Sequence, residues 1–214
     1  MKIAEIKELL ANNPNEELLA ELAKDGRSGV QKLVAAYYKK QQAEQAERER
    51  FAKMLMYENN CYNEGAQFVA GVDEAGRGPL AGPMVIGAVI LPQNVFIKGL
   101  NDSKKLSEKK RESLYGLITK EAVAYQICSV SEKEIDRLNI LAASMLAIKK
   151  AVEGLSVRPD AAYIDGNRAP ELEGIPAIPV VKGDAASASI AAASILAKVA
   201  RDHYMLELDR QYPQ

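Results

Sequence analysis

Cysteine and histidine are nearly absent: the chain carries only Cys61, Cys128 and His203. Two cysteines make no disulfide framework and no zinc cluster. One histidine makes no histidine-rich metal site and no catalytic dyad. The low cysteine usage leads us to expect a reducing, cytoplasmic setting. No apolar run approaches the roughly eighteen residues of a membrane helix. The segment 1–8 has no apolar stretch of the secretory kind, so no membrane partner is expected. An excess of one charge is also missing, with 28 Lys+Arg against 29 Asp+Glu and a net charge of −1. Proteins that grip a phosphate backbone usually show a basic excess. The balance excludes no such partner, because an acidic metal site would offset basic contacts elsewhere in the sum.

What is present is ordinary globular material. Hydrophobic residues make up 48% of the 214 residues and charged residues 27%, enough apolar side chain for a core. Glycine and proline are unevenly spread. Residues 1–64 hold only Gly26, Gly29 and Pro14. We therefore expect a helical N-terminal region over 1–64 and a mixed α/β domain over 65–214. Ile3, Ile6, Leu9 and Leu10 recur at helical spacing, as do Leu18, Leu19 and Leu22 after Pro14. Ser28 is an N-cap candidate, and after Gly29 there is no Gly or Pro to about Glu58. That stretch reads as one long helix, either a solvated prop for the main domain or an arm for a substrate or partner.

After residue 65 the period changes. Residues 68–72 and 84–91 are short and rich in β-branched side chains and read as strands. Ser107 caps a helix to about Glu121, and 122–130 reads as a third strand. Ser131 and Glu134 fit a capping box opening an amphipathic helix to Val152. Residues 161–164 and 177–181 are two more strands, and the Ala-rich segment from Ala185 to about Leu208 is helical. Early strands follow one another and later ones alternate with helices, which predicts a mixed sheet with helices on its faces. Cys128 reads as core filler, and Tyr204 and Met205 as packing residues.

Acids recur where these strands should stop. Val72 precedes Asp73 and Glu74, Ile164 precedes Asp165, and residues 180–183 precede Asp184. Open α/β sheets place ligands at the carboxyl ends of their strands. One acid there is ordinarily a turn former or helix cap. Four together repel one another unless cations share the site, and hard oxygen ligands suit Mg²⁺ or Mn²⁺. Two such ions assist phosphodiester cleavage by activating water and stabilising the leaving oxygen.

The segment 76–83 follows at once. Gly76 and Gly78 permit close backbone approach to a phosphate or a sugar hydroxyl, and Arg77 adds a fixed cation. Gly76, Gly78 and Ala81 also match a dinucleotide fingerprint, but Pro83 and the β-branched run behind it oppose the helix that such a turn opens. Residues 101–111 carry five basic side chains, Lys104 among them. They read as a charged loop or as a phosphate contact.

Four blocks now carry a resemblance. Residues 71–83, Leu100–Ser107, Tyr163–Asn167, and Lys182–Asp184 with Ser189–Asp202 together resemble the ribonuclease HII signature in that family's order. The helical N-terminal region resembles the extension of some bacterial members. The resemblance implies an RNase H-like fold, a mixed five-stranded sheet flanked by helices. It implies endonucleolytic cleavage of RNA in RNA–DNA duplexes, including 5′ of a single ribonucleotide in duplex DNA, leaving 3′-hydroxyl and 5′-phosphate ends. It assigns ligation of Mn²⁺ or Mg²⁺ to Asp73, Glu74, Asp165 and Asp184, and reading of the 2′-hydroxyl to Gly76, Arg77 and Gly78. Lys104 and Lys182 join these as expected substrate contacts, in a chain expected to act as a monomer. Ribonuclease HIII is the sister alternative. Family members also continue past the position of Tyr212 and Pro213 with a tyrosine and a helix that this sequence does not include. On that account a weakly cleaving binder of RNA–DNA junctions is a further alternative.

Overall fold

The computed structural model describes every residue except Asn13, Leu80 and Gln214. Contacts divide the chain into two compact units, Met1–Arg50 and Phe51–Gln214.

The first unit is helical. Helices α1 (Ile3–Ala11) and α2 (Glu16–Ala23) precede α3 (Ser28–Met54), which runs on into the second unit. The Lys2 N–H donates to Glu5 and the Leu18 N–H to the Asn15 side chain, so both short helices are closed at their first turns. Ile6, Leu10, Leu22, Val30 and Val34 form the core. Ile3 and Leu9, expected on the same stripe, are exposed. Ser28 is not the cap of α3. The Gln31 N–H bonds to the Arg27 carbonyl, so the helix already includes Ser28 and the capping position falls on Arg27.

The long helix also stops earlier than its composition suggests. It breaks at Leu55, whose backbone sits at φ −88°, ψ 3°, and a separate helix, α4 (Met56–Asn63), begins. No Gly or Pro marks the break. Tertiary packing selects it, since Phe51, Met54 and Cys61 are buried in the second unit's cores.

The second unit is built on β1 (Val69–Ala75), β2 (Met84–Ile90), β3 (Ala124–Val130), β4 (Ala161–Asp165) and β5 (Ala177–Val180). Their order is β3-β2-β1-β4-β5. β2 is antiparallel to β1 and β3, while β4 is parallel to β1 and β5 to β4. The expected mixed five-stranded sheet is therefore present, with helices on both faces. α5 (Glu108–Glu121) starts at Ser107, whose hydroxyl accepts from the Lys110 N–H. The Ser131–Glu134 capping box opens α6 (Glu132–Leu138). The expected single helix to Val152 is split at Asn139 (φ 68°), where α7 (Ile140–Glu153) begins. The Ala-rich segment is likewise two helices, α8 (Gly183–Ala186) and α9 (Ala188–Gln211), parted at Ser187.

Strand alternation assigns the faces. Ala70 and Val72 of β1 and Ile86, Ala88 and Ile90 of β2 pack on Ala143, Ala147, Ile148 and Ala151 of α7. The opposite face takes α9 at close range. A methyl group on Gly87 would overlap the Ala193 carbonyl oxygen, so this strand position requires glycine. Asp73 lies opposite Gly87 in the β1–β2 register and thus faces α9. Tyr204, expected to pack, is instead 45% exposed.

Candidate active site

Asp73 and Glu74 do not follow β1 but lie inside it, because the strand continues to Ala75 through pairing with β2. Val72 faces Ile164 across the parallel β1–β4 pair. Asp73 and Asp165 therefore emerge side by side at the carboxyl ends of neighbouring strands. Asp184 arrives on α8, one turn beyond β5. The Asp165 Oδ1 accepts from the Gly183 N–H at 2.7 Å and the Asp184 N–H at 3.4 Å, which fastens α8 to the end of β4.

A cleft of about 340 Å³ opens at this point, lined by Asp73, Glu74, residues 75–79, Ser103, Lys104, Asp165, Ser194, Lys198 and Arg201. It thus gathers three of the four expected acids, the Gly76–Arg77–Gly78 element and Lys104. Asp184 is buried beside the wall, reached by the Lys104 Nζ at 3.4 Å. Lys182 is exposed, adopts a left-handed conformation (φ 58°), and does not line the cleft. Leu80, in the same glycine-rich segment, lies outside the described residues.

The electrostatics are those of acids withdrawn from water beside one another. Burial, and next the charge of Asp165, push the Asp73 carboxyl well above the usual range, opposed by a hydrogen bond from Ser194. Burial also raises Glu74, with Arg77 opposing. Asp165 is raised by burial and by Asp184, with the Gly183 N–H opposing. Burial alone would lower Lys104, but the charge and hydrogen bond of Asp184 lift it. The chain's own cations partly balance the acids: Arg77 contacts Glu74 at 3.3 Å and Lys104 contacts Asp184.

Among the described residues, no three Asp, Glu, His or Cys side chains converge closely enough to cage an ion as they stand. The donor set nevertheless fits a hard divalent cation. It offers only carboxylate oxygens, and burial raises the proton affinities of Asp73, Glu74 and Asp165, a cost that a divalent cation would offset.

Three cleft residues carry no individual role in the sequence pattern alone. Ser194, Lys198 and Arg201 stand four and three residues apart, one face of α9, and that spacing is the available signal. The Ser194 hydroxyl meets that of Ser103 at 2.9 Å, anchoring the turn Ser103–Lys105 against α9. Arg201 is buried and donates to the carbonyls of Pro83 at 3.0 Å and Ala81 at 2.9 Å. It passes so close to Gly76 (φ 97°) that a side chain there would overlap the guanidinium Nε. Of the basic stretch 101–111, Arg111 turns inward to the Ser103 and Leu106 carbonyls, and only Lys104 reaches the cleft wall.

The family pattern described as Ribonuclease HII matches residues 70–214, and that of the Ribonuclease HII N-terminal domain matches residues 2–62. Ribonuclease HII of Desulfitobacterium hafniense (strain DSM 10664 / DCB-2) is 51% identical over 214 residues, covering all of this chain and 82% of that protein. Among solved structures, ribonuclease H2 from Pyrococcus horikoshii OT3 aligns with a TM-score of 0.63 and 32% identity, over 69% of this chain and 78% of that one. Bst-RNase HIII in complex with Mn²⁺ aligns with a TM-score of 0.55 at 21% identity, over 70% of this chain and 56% of that one. At that identity the likeness shows a shared fold. No helix among the described residues is long and apolar enough to cross a membrane.

Proposed function

The chain belongs to the ribonuclease HII family, and on that footing we propose that it cleaves RNA in RNA–DNA duplexes as a divalent-metal-dependent endonuclease. The substrates include duplex DNA holding a single ribonucleotide, cut on its 5′ side to leave 3′-hydroxyl and 5′-phosphate ends. The observation that carries this reading is the joint placement of Asp73, Glu74 and Asp165 in one cleft beside a glycine-rich loop.

Mg²⁺ or Mn²⁺ would be held by Asp73, Glu74, Asp165 and Asp184, where two such ions would supply an activated water and charge stabilisation at the leaving oxygen. The remaining work falls to the chain. The backbone of residues 76–78 is open at Gly78, where an added methyl group would meet nothing within 4 Å, so a sugar can approach it closely. Its N–H groups would bond a 2′-hydroxyl, which deoxyribose lacks. Arg77 and Lys104 would seat the phosphates flanking the cut. Arg201, anchored to the Pro83 and Ala81 carbonyls, would keep the reading loop in place. The chain would work as a monomer in the cytoplasm.

The ribonuclease HIII alternative is not favoured, because the matching family patterns and the full-length relative are of type HII. The binder alternative is not favoured either, since the ribonuclease HII match runs over residues 70–214 and over the whole chain against a relative 51% identical.

The test is a duplex of DNA with one internal ribonucleotide, incubated with the protein and Mg²⁺ or Mn²⁺. A cut 5′ of the ribonucleotide, absent from an all-DNA duplex and abolished in Asp73→Asn, is the expected result. Equal cutting of the all-DNA duplex, or an Asp73→Asn variant as active as the parent at saturating metal, overturns the reading.

A further inference from the structure

Glu58 lies on α4, outside the stretch 70–214 that carries the cleft's acids, yet its side chain is only 1% exposed. Its Oε1 accepts from the Ser187 hydroxyl at 2.6 Å, the Ser189 hydroxyl at 2.7 Å and the Ser189 N–H at 2.9 Å. Its Oε2 is buried and has no hydrogen-bond partner among the described residues. A carboxylate is costly to bury. Here the cost is offset by those three donors, all on the two residues that open α9.

The bonds matter because of what adjoins Ser187. The Ser187 N–H bonds back to the Gly183 carbonyl at 2.8 Å, closing the single turn of α8 that carries Asp184. At its other end that turn is tied to Asp165 through the Gly183 N–H. The turn is thus held between Asp165 and Glu58. The same helix, α4, also holds β4. The Tyr163 hydroxyl donates to the Tyr57 carbonyl at 3.1 Å and meets the Cys61 Sγ at 3.1 Å, two residues before Asp165. From the opposite side Gly71 of β1 presses on Ser189, where a methyl group would overlap the backbone. One short helix therefore contacts both segments that bring Asp165 and Asp184 to the cleft.

The geometry points to Glu58 as a positioning residue that fixes the Ser187–Ser189 junction and thereby sets where Asp184 stands relative to Asp165. Its effect on metal binding rests on the proposed role of those two acids; its effect on the order of the junction does not.

The experiment compares the full chain with Glu58→Ala, Glu58→Gln, Ser189→Ala and a destabilised control, Ile118→Val, in the core beneath α5. Two quantities are read: amide hydrogen exchange along 184–190, and the dissociation constant for Mn²⁺ by calorimetry. In Glu58→Ala, exchange over 184–190 should rise at least about tenfold above that of the control, because a local opening is released there. Mn²⁺ binding should weaken roughly ten- to a hundredfold, the usual effect of removing a group that orients ligands. Glu58→Gln, whose amide oxygen still accepts hydrogen bonds, should fall between alanine and the parent. If Glu58→Ala matches the control in both quantities, the inference is overturned. If the parent binds no Mn²⁺, the metal reading fails, and the exchange comparison alone decides the role of Glu58. Should Glu58→Ala not fold, Glu58→Gln and Ser189→Ala carry the same comparison, with the same result required.

Discussion

The backbone of Gly71 on β1 lies against that of Ser189 on α9 with no room for a side chain between them: a methyl group on Gly71 would overlap the Ser189 carbonyl carbon and the Ile190 nitrogen. Both obstructing atoms belong to a helix backbone and cannot rotate away. Gly71→Ala is therefore expected to destabilise the protein by more than about 3 kcal/mol, beyond the usual cost of overpacking a core. Urea unfolding followed by circular dichroism measures this. A loss below about 1 kcal/mol would mean that the helix and strand are not so closely seated.

The acids of the cleft give the metal-free protein a characteristic response to pH. Burial, with neighbouring charge behind it, holds Asp73 and Asp165 above the ordinary carboxylate range. The folded chain therefore binds these protons more tightly than the unfolded chain does. The associated stability is fully present below the ordinary carboxylate value of about 4 and is lost as pH rises through the raised folded values. Without metal, the thermal midpoint of the parent should fall relative to that of Asp73→Asn as pH is raised from about 4 to 7. Saturating Mg²⁺ should narrow the gap by supplying the missing positive charge. A gap that stays constant with pH contradicts the electrostatic account of the cleft.

Arg201 joins α9 to the glycine-rich loop by two charge-assisted hydrogen bonds. Arg201→Met keeps the apolar stem and removes both. Stability should drop by about 2 kcal/mol, within the range for bonds to a charged donor. The preference for a ribonucleotide-containing duplex over all-DNA should shrink as the loop loosens. Thermal unfolding and paired cleavage assays read the two effects; unchanged preference would show that the loop holds its shape without Arg201.

Asn139 separates α6 from α7 at φ 68°, and its side chain accepts from the Leu141 and Ala142 N–H groups, both at 3.0 Å. Asn139→Gly relieves the backbone while losing the cap, and should change stability by no more than about 0.5 kcal/mol. Asn139→Ala loses the cap and keeps the strained backbone, and should cost about 1–2 kcal/mol. Alanine less harmful than glycine would be the contrary result, measured in the same denaturant series.

Much of this architecture can be read from the residues because local and tertiary preferences agree. The β-branched run 84–91, the Ser107 cap and the Ser131–Glu134 box each coincide with an observed boundary. The disagreements arise where distant contacts decide. Nothing near Leu55 announces a break, which depends on burying Phe51 on one side and Cys61 on the other. Acids usually terminate strands, which sets the expected end of β1 before Asp73, whereas pairing with Val85 and Ile86 carries the strand to Ala75. The residues of the cleft follow the same division. Acids after apolar strands are conspicuous in a sequence, but the inward turn of Arg111, the exposure of Lys182 and the burial of Glu58 each depend on partners far along the chain.

The sheet order β3-β2-β1-β4-β5 also sets when the cleft can exist. β1, at the centre, is the first strand to leave the ribosome, and its early neighbours β2 and β3 lie on one side. That half-sheet carries Asp73 and Glu74 but none of the acids that crowd them. The other side waits for β4, β5 and then α9, and parallel pairing across long connections is slow to form. A nascent chain that has released only the first three strands thus holds two acids without the rest of the site, and synthesis must pass α9 before the cleft is enclosed. A chain cut short before β4 would therefore carry Asp73 and Glu74 without Asp165, Asp184 or the α9 side chains that wall the cleft.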